Sequence, residues 1–256
     1  MKSAWLILPS MLVVACGNGS PSSTASGGAS STATGAGTTS ATGATTTSTA
    51  SGAGPCNAGA VVSLPACTAS ASTSVAVPSG CTPTVDGSFH AGEWSDAACV
   101  TVGTDPVYVK VSGDNLYLAW AMTPTCGCPA QIAFNTDGAS ALDGKQIDLD
   151  IFDDPAANGG DAGESKSMTG SWAMPGSVAS GIKIGNPAAN GTMTETYEIA
   201  IPLSQLSITP GQPGTLGLAL SHNMNGVWPS GLTTTGGLQP DNPANWGKLT
   251  SATNWK

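Results

Sequence analysis

The sequence predicts an all-β chain, an antiparallel two-sheet β-sandwich of immunoglobulin-like or jelly-roll type that follows a disordered N-terminal linker. Three observations predict it. From Thr82 onward, apolar and polar residues alternate over short runs, the period-two pattern of strands. The runs are separated by Gly/Asn/Asp/Pro clusters that read as turns. No window keeps a 3.6-residue period beyond a turn or two, and the best helical candidate is the short stretch Leu203–Leu206 after Pro202.

The strands follow in order. Val107, Val109 and Val111 share one face with Tyr108 and Lys110 on the other, and Leu116, Leu118, Trp120 and Met122 repeat the pattern after the Gly113-Asp114-Asn115 turn. Further short strands are expected at Ile132 to Phe134, Ile147 to Phe152, Ile182 to Ile184, Tyr197 to Ile201 and Leu216 to Leu220. Seven or more such strands in one domain indicate two packed antiparallel sheets.

What precedes them has a different composition. Lys2 and the apolar run Trp5 to Val14 read as an export signal too short to span a bilayer. The run ends in Val13-Val14-Ala15-Cys16, which resembles a bacterial lipobox and implies that Cys16 is lipidated. Residues 17 to 54 are almost wholly Gly, Ser, Thr and Ala, a composition unable to bury enough surface to offset the entropy of ordering. The expected organisation is therefore a signal at 1–15, a tether at 16–54, a short Cys-containing segment at 55–80 and the sandwich at 81–256. The expected location is the bacterial cell envelope, with a lipid anchor in the membrane.

Removing Cys16 leaves six cysteines, Cys56, Cys67, Cys81, Cys99, Cys126 and Cys128, an even count that reads as disulfides in an exported chain. Six cysteines permit fifteen pairings; a local Cys56–Cys67 loop is favoured, and Cys81 or Cys99 could reach the Cys126-Gly-Cys128 turn. A lone C-x-C with two histidines, His90 and His222, is a poor zinc signal. The net charge of -9, seven scattered lysines and no arginine argue against nucleic acid as a partner.

The segments "PTVDGSFHAGEW", "VYVKVSGDNLYLAWAM", "AQIAFNTDGASALDGKQIDLDIF", "ETYEIAIPLSQL" and "NPANWGKLTSA" together resemble the family-nine carbohydrate-binding modules, over residues 81 to about 252. The resemblance implies a non-catalytic module that binds a polysaccharide or oligosaccharide, in association with polysaccharide breakdown. It makes Asp86, Gly87 and Trp94 structural, with Trp94 inside the sandwich, and places Trp246 before the last strand as another structural residue.

It also implies that Trp228, in the polar loop "SHNMNGVWPSG" beside His222, Asn223 and Asn225, is a binding platform; the competing reading is a hydrophobic plug over the sandwich end. The family's second binding tryptophan is replaced by Thr125-Cys126-Gly127-Cys128-Pro129, and Trp172 in "TGSWAMPG" is the candidate substitute. Trp120, in register with Leu116 and Leu118, reads as core.

Half of the acidic residues lie between Asp137 and Glu164. Asp137 and Asp143, and a second group of Asp153, Asp154, Asn158, Asp161 and Glu164, supply the hard oxygen donors of a calcium site, which the family often carries. Asp148 and Asp150 alternate with Ile147, Leu149 and Ile151, so both carboxylates share one side of a strand. A glycosidase needs two carboxylates across a cleft, and nothing else indicates one. Two other functions stay open: a structural or adhesive surface domain without a sugar site, and a haem-binding electron carrier using a Met–His pair among Met122, Met168, Met174, Met193, Met224, His90 and His222.

Overall fold

The computed structural model describes residues 54–57, 59–68, 72–122, 130–151, 162–173, 176–185, 195–222, 226–235 and 239–256. The expected lipidation site Cys16, the signal and tether, Cys126 and Cys128, Asn223 and Asn225, the Asp153–Asp161 group, Met174, Met193 and Met224 lie outside these residues. In chain order the strands are β1 (Ser74–Val77), β2 (Ala98–Val102), β3 (Asp105–Ser112), β4 (Asn115–Met122), β5 (Ala130–Asn135), β6 (Ile147–Ile151), β7 (Ala162–Met168), β8 (Ser171–Trp172), β9 (Lys183–Gly185), β10 (Glu195–Pro202), β11 (Thr215–His222), β12 (Gly226–Trp228), β13 (Thr234–Thr235), β14 (Gln239–Pro240) and β15 (Gly247–Ser251). The helical candidate Leu203–Leu206 is a single 3₁₀ turn.

Two sheets form the sandwich. One runs β2-β3-β4-β10-β9; the other runs β1-β15-β11-β5-β6-β7-β8, with β12 also paired to β11. All ladders in them are antiparallel except β1 with β15, which is parallel. The 55–80 segment is therefore not separate from the sandwich: β1 is an edge strand of it. Between the sheets lie Val107, Val109, Val111, Leu116, Leu118, Trp120 and Met122 from one side and Ile132, Phe134, Leu149, Ile151, Leu216, Leu218 and Leu220 from the other, as their alternation requires.

The outer faces are covered too, which alternation alone does not predict. Every residue of β5 and of β6 is buried, so the polar residues of these strands face a covered surface rather than water. On the five-stranded sheet the cover is formed by residues 54–57, 59–68 and 82–97. Trp94 is buried there with Phe89, Tyr108 and Tyr117; it lies outside the sandwich, whereas the family resemblance implied a position inside it.

This cover is docked by polar groups as well as by apolar ones. The Asp86 and Gly87 amides (3.1 and 3.3 Å) and Trp94 Nε1 (3.1 Å) all donate to the Glu198 carboxylate on β10. Gly185 makes the approach feasible, since a Cβ there would lie 2.4 Å from the Gly87 nitrogen. Asp86 Oδ1 accepts from the Ser88 amide at 2.9 Å, and Gly87 takes a positive φ of 81°, the turn chemistry expected of Asp-Gly. Lys110, fully buried, donates to the Glu93 carbonyl and to Asp96 Oδ1 (2.9 Å) and lies 5.2 Å from the Trp94 ring centroid.

The disulfides differ from the expected local loop. Cys56 pairs with Cys81 and Cys67 with Cys99. The reason is that 54–62 lies extended along 82–91, bonded through Cys56 N to Thr82 O, Val62 N to Phe89 O and Ala91 N to Ala60 O, so Cys56 and Cys67 never meet. Two disulfides suit an oxidising, extracytoplasmic compartment. Among the described residues no helix is long and apolar enough to cross a membrane.

Burial pushes the Glu198 carboxyl up to about 7, with the Asp86 amide and the Trp94 indole N–H offsetting only part of that cost. The folded chain then keeps a proton that the unfolded chain loses at ordinary carboxylate pH, so this contribution is complete below about 4.5 and is lost as pH rises through about 7. Urea midpoints measured from pH 5 to 8 should therefore fall. In Glu198→Gln the fall should be smaller; the variant should cost about 1–3 kcal/mol at pH 5 through unpaired donors, with the gap closing toward pH 8. An equal slope in both proteins would show that Glu198 does not carry the effect.

Candidate functional site

The register of β11 decides which expected site residues are accessible. Leu220 pairs with Trp228 and Ser221 with Val227, and paired residues share a face. Because Leu220 faces the interior, so does Trp228, which is 4 % exposed and belongs to the core between the sheets. Its ring lies over Gly247, where a Cβ would come within 2.2 Å of the indole. Trp228 is thus not a platform: the plug reading describes it better, because strand pairing turned the loop residue inward.

His222 is interior as well. Its Nδ1 lies 2.9 Å from Asp105 Oδ2 on the opposite sheet, with both side chains buried, and its ring meets Trp120 edge-on at 6.2 Å. That is the packing of a core histidine tying two sheets together, not of a sugar contact or a haem ligand. Trp120 and Met122 are fully buried core residues, as the alternation indicated for Trp120.

Asp137 and Asp143 flank a lysine. Lys145 Nζ lies 2.8 Å from Asp137 Oδ2 and 3.8 Å from Asp143 Oδ2, and this ammonium holds the Asp137 carboxyl below its usual range. Among the described residues no three His, Cys, Asp or Glu side chains converge on a metal position.

Trp172 stands in a different setting. The β7–β8 hairpin turns at Gly170, with a positive φ of 72°, and pairs Trp172 with Ser167 on the outer face of the larger sheet. There the indole stacks on Trp246, with centroids 6.3 Å apart and planes 4° from parallel, and Trp172 Nε1 donates to the Pro240 carbonyl at 3.1 Å. Trp246 is buried with Ala133, Leu142, Ala219 and Leu232, and Trp172 remains half-buried.

The Trp172 indole forms a wall of an open groove of about 540 Å³, together with Leu142, Ser140, Ser171, Asp241 and Asn242. Asn242 Oδ1 accepts from the Ala244 amide at 3.1 Å, which fixes the side chain and leaves its amide hydrogens as donors. Asp241 offers a carboxylate beside it, and Ser140 and Ser171 offer hydroxyls. An aromatic wall with donors and acceptors at its rim stacks an apolar face and orients hydroxyls.

Among the described residues expected to bind sugar, Trp228, His222 and Trp172, Trp172 is the one that lines an open groove; Asn223 and Asn225 lie outside the described residues. Asp241 and Asn242 were not expected at a site, although Asn242 opens the "NPANW" stretch singled out for the resemblance and Asp241 directly precedes it; Trp246, expected to be structural, is the buried support. No family profile matches this chain, and no curated protein matches it. Among solved structures it is similar to a "putative carbohydrate-binding protein" from Bacteroides uniformis, at 11 % identity, over 70 % of this chain and 98 % of that one, with a TM-score of 0.45. A likeness of that size says nothing about what this chain binds.

The contrast between the two tryptophans is measurable. Trp228→Ala should cost about 3–5 kcal/mol of unfolding free energy, the scale of an aromatic cavity in a close-packed core. Trp172→Ala, at a half-exposed position, should cost roughly 1–2 kcal/mol, near the typical value for a point substitution. Denaturant titration of both variants checks this, and equal losses would contradict the placement of Trp228.

Proposed function

We propose that this chain is an exported, lipid-anchored, non-catalytic saccharide-binding protein of the kind represented by the family-nine carbohydrate-binding modules, with its site in the Trp172 groove. The observation that carries the reading is the flat Trp172–Trp246 stack: the buried partner holds the exposed indole rigid, so a pyranose can stack on it at little further entropic cost. Asp241 and Asn242 then receive and donate hydrogen bonds to equatorial hydroxyls at the ring edge. The groove volume falls within the range of small-ligand sites and suits one or two sugar units. The family's clamp of two facing tryptophans is replaced here by one platform with a buried support.

Titration with soluble xylan, cellulose and chitin oligosaccharides tests this. Wild type should bind one of them with weak affinity, and Trp172→Ala should lose that binding by a factor of about 10 or more while remaining folded, as removal of an aromatic anchor costs about 1–3 kcal/mol. Asp241→Asn should weaken binding less. Failure of the wild type to bind any saccharide would favour a structural or adhesive surface domain instead.

Anchoring is a separate matter and rests on Val13-Val14-Ala15-Cys16. Several acyl chains on Cys16 would hold the protein stably where one alone is marginal, and the Gly/Ser/Thr tether would let the sandwich reach outward by roughly 30 Å. Cys16→Ser should move the protein from the membrane fraction to the soluble fraction on cell fractionation; retention in the membrane would refute lipidation.

A further inference from the structure

The two disulfides sit in unlike surroundings. Lys110 on β3 is fully buried, and its Nζ lies 3.5 Å from Cys56 Sγ and 3.6 Å from Cys81 Sγ. The same ammonium donates to Asp96 Oδ1 at 2.9 Å and to the Glu93 carbonyl, and Asp96 Oδ2 accepts from the Cys81 amide at 2.9 Å. The Glu93 carbonyl is 3.7 and 4.0 Å from the two sulfurs, while the Glu93 carboxylate is bonded elsewhere, to the Thr84 and His90 amides. Around Cys67–Cys99 the polar group within reach of the sulfurs, among the described residues, is the Val100 carbonyl, at 3.4 and 3.7 Å.

A disulfide is neutral, but opening it releases a thiolate, and neighbouring charge sets how readily it opens. A buried ammonium touching both sulfurs stabilises that thiolate, whereas a carbonyl oxygen alone repels it. Burial lowers the Lys110 pKa against the opposing influence of Asp96, Glu93 and Glu198, so a new anion beside the ammonium favours both partners. A reagent can reach the bond, because Cys56 and Cys81 are half-buried and Cys56 stands between exposed Pro55 and Asn57.

Little else holds what this bond fastens. Gly54, Pro55, Asn57 and 59–62 are exposed, and this stretch meets 82–91 through a few backbone hydrogen bonds. Leu64 is where the segment first packs against the buried Phe89–Trp94 cluster.

We propose that Cys56–Cys81 is a reactive disulfide, a site of thiol–disulfide exchange with a dithiol, in which Lys110 holds the leaving thiolate and whose opening releases residues 54–62 from the sandwich. One thiolate of the dithiol attacks Cys56 Sγ and forms a mixed disulfide; the S–S bond breaks and its electron pair leaves on Cys81 Sγ, beside Lys110. The second thiolate of the dithiol then displaces Cys56. The dithiol is oxidised to its disulfide, the two cysteines gain two electrons in all, and the two protons of the dithiol end on the cysteines or in solvent. Cys67–Cys99 stays closed, so the N-terminal chain then hangs from Cys67 rather than from Cys56. With Cys16 anchored as proposed above, the sandwich gains roughly 30 Å of reach from the freed residues.

The test treats the full chain with limiting dithiothreitol and follows each cysteine by differential alkylation and peptide mass spectrometry. Cys56 and Cys81 should become alkylated at least about tenfold faster than Cys67 and Cys99, and the pH profile of Cys81 alkylation should have its midpoint about a unit or more below the ordinary thiol value of about 8.5. Lys110→Met should slow the opening about tenfold and move the Cys81 midpoint to or above the ordinary value. Should that variant fold poorly, the wild-type pH profile alone decides. Elastase, which cuts after Val and Ala, should cleave within 60–63 after this reduction and not before it. Equal opening of the two disulfides, a Cys81 midpoint at or above the ordinary thiol value, opening of folded Lys110→Met as fast as wild type, or no gain in cleavage on reduction would each overturn the proposal. None of these readouts depends on saccharide binding.

Discussion

The register of β11 is the constraint on which the rest of the structure depends. This strand pairs with β5 along one edge and with β15 and then β12 along the other. A slip of one residue in any of these ladders would exchange the two faces of the paired strand. In the register observed, Leu216, Leu218, Leu220, Trp228 and Leu249 all close the interior, while Ala219 and Val227 join the cluster beneath the Trp172 groove. Gly217 fits because a Cβ there would lie 2.6 Å from Asn135, and Gly247 because Trp228 occupies that space.

A sandwich normally leaves its outer faces to water, and this one does not. Residues 59–68 and 82–97 cover one sheet and the loops carrying Leu142, Leu232 and Trp246 cover the other. With only three Phe and three Tyr in the chain, the cover cannot rest on aromatic burial alone. It is held by two disulfides, by the Glu198 carboxylate that gathers three N–H donors, and by Lys110 between Glu93, Asp96 and Trp94. Such buried polar clusters contribute specificity of docking more than net free energy, and they make the cover sensitive to pH.

The cover of the larger sheet also makes the groove. A half-buried indole on a two-residue strand would be poorly fixed by itself. Stacked on a buried Trp246 and bonded through Nε1 to Pro240, it becomes a rigid surface. Asp241 and Asn242 of the rim come from the turn that leads into β15, whose Leu249 closes the core between the sheets.

The sequence by itself determined the class of the fold and the position of its strands, because alternation and turn chemistry are local: β3, β4, β6, β10 and β11 lie where Val, Leu, Ile and Tyr alternate, and Asp86-Gly87 makes the turn its residue types require. It also marked Trp120 as core and Trp172 as a candidate. What only the tertiary structure decided is which covered face each residue meets. Trp228 looked exposed in its polar loop, yet pairing with Leu220 turned it inward. Asp137 and Asp143 pair with Lys145 in an arrangement that the spacing of the three residues does not reveal. Cys56 and Cys67 looked like a local pair, yet the extended path of their segment carried each to a distant partner. Trp255, three residues past the recognisable pattern, is fully buried with its Nε1 donating to the Gly214 carbonyl. In each case local sequence sets the direction in which a side chain leaves the backbone, but its burial and its partner depend on residues tens of positions away, through contacts that no local pattern encodes.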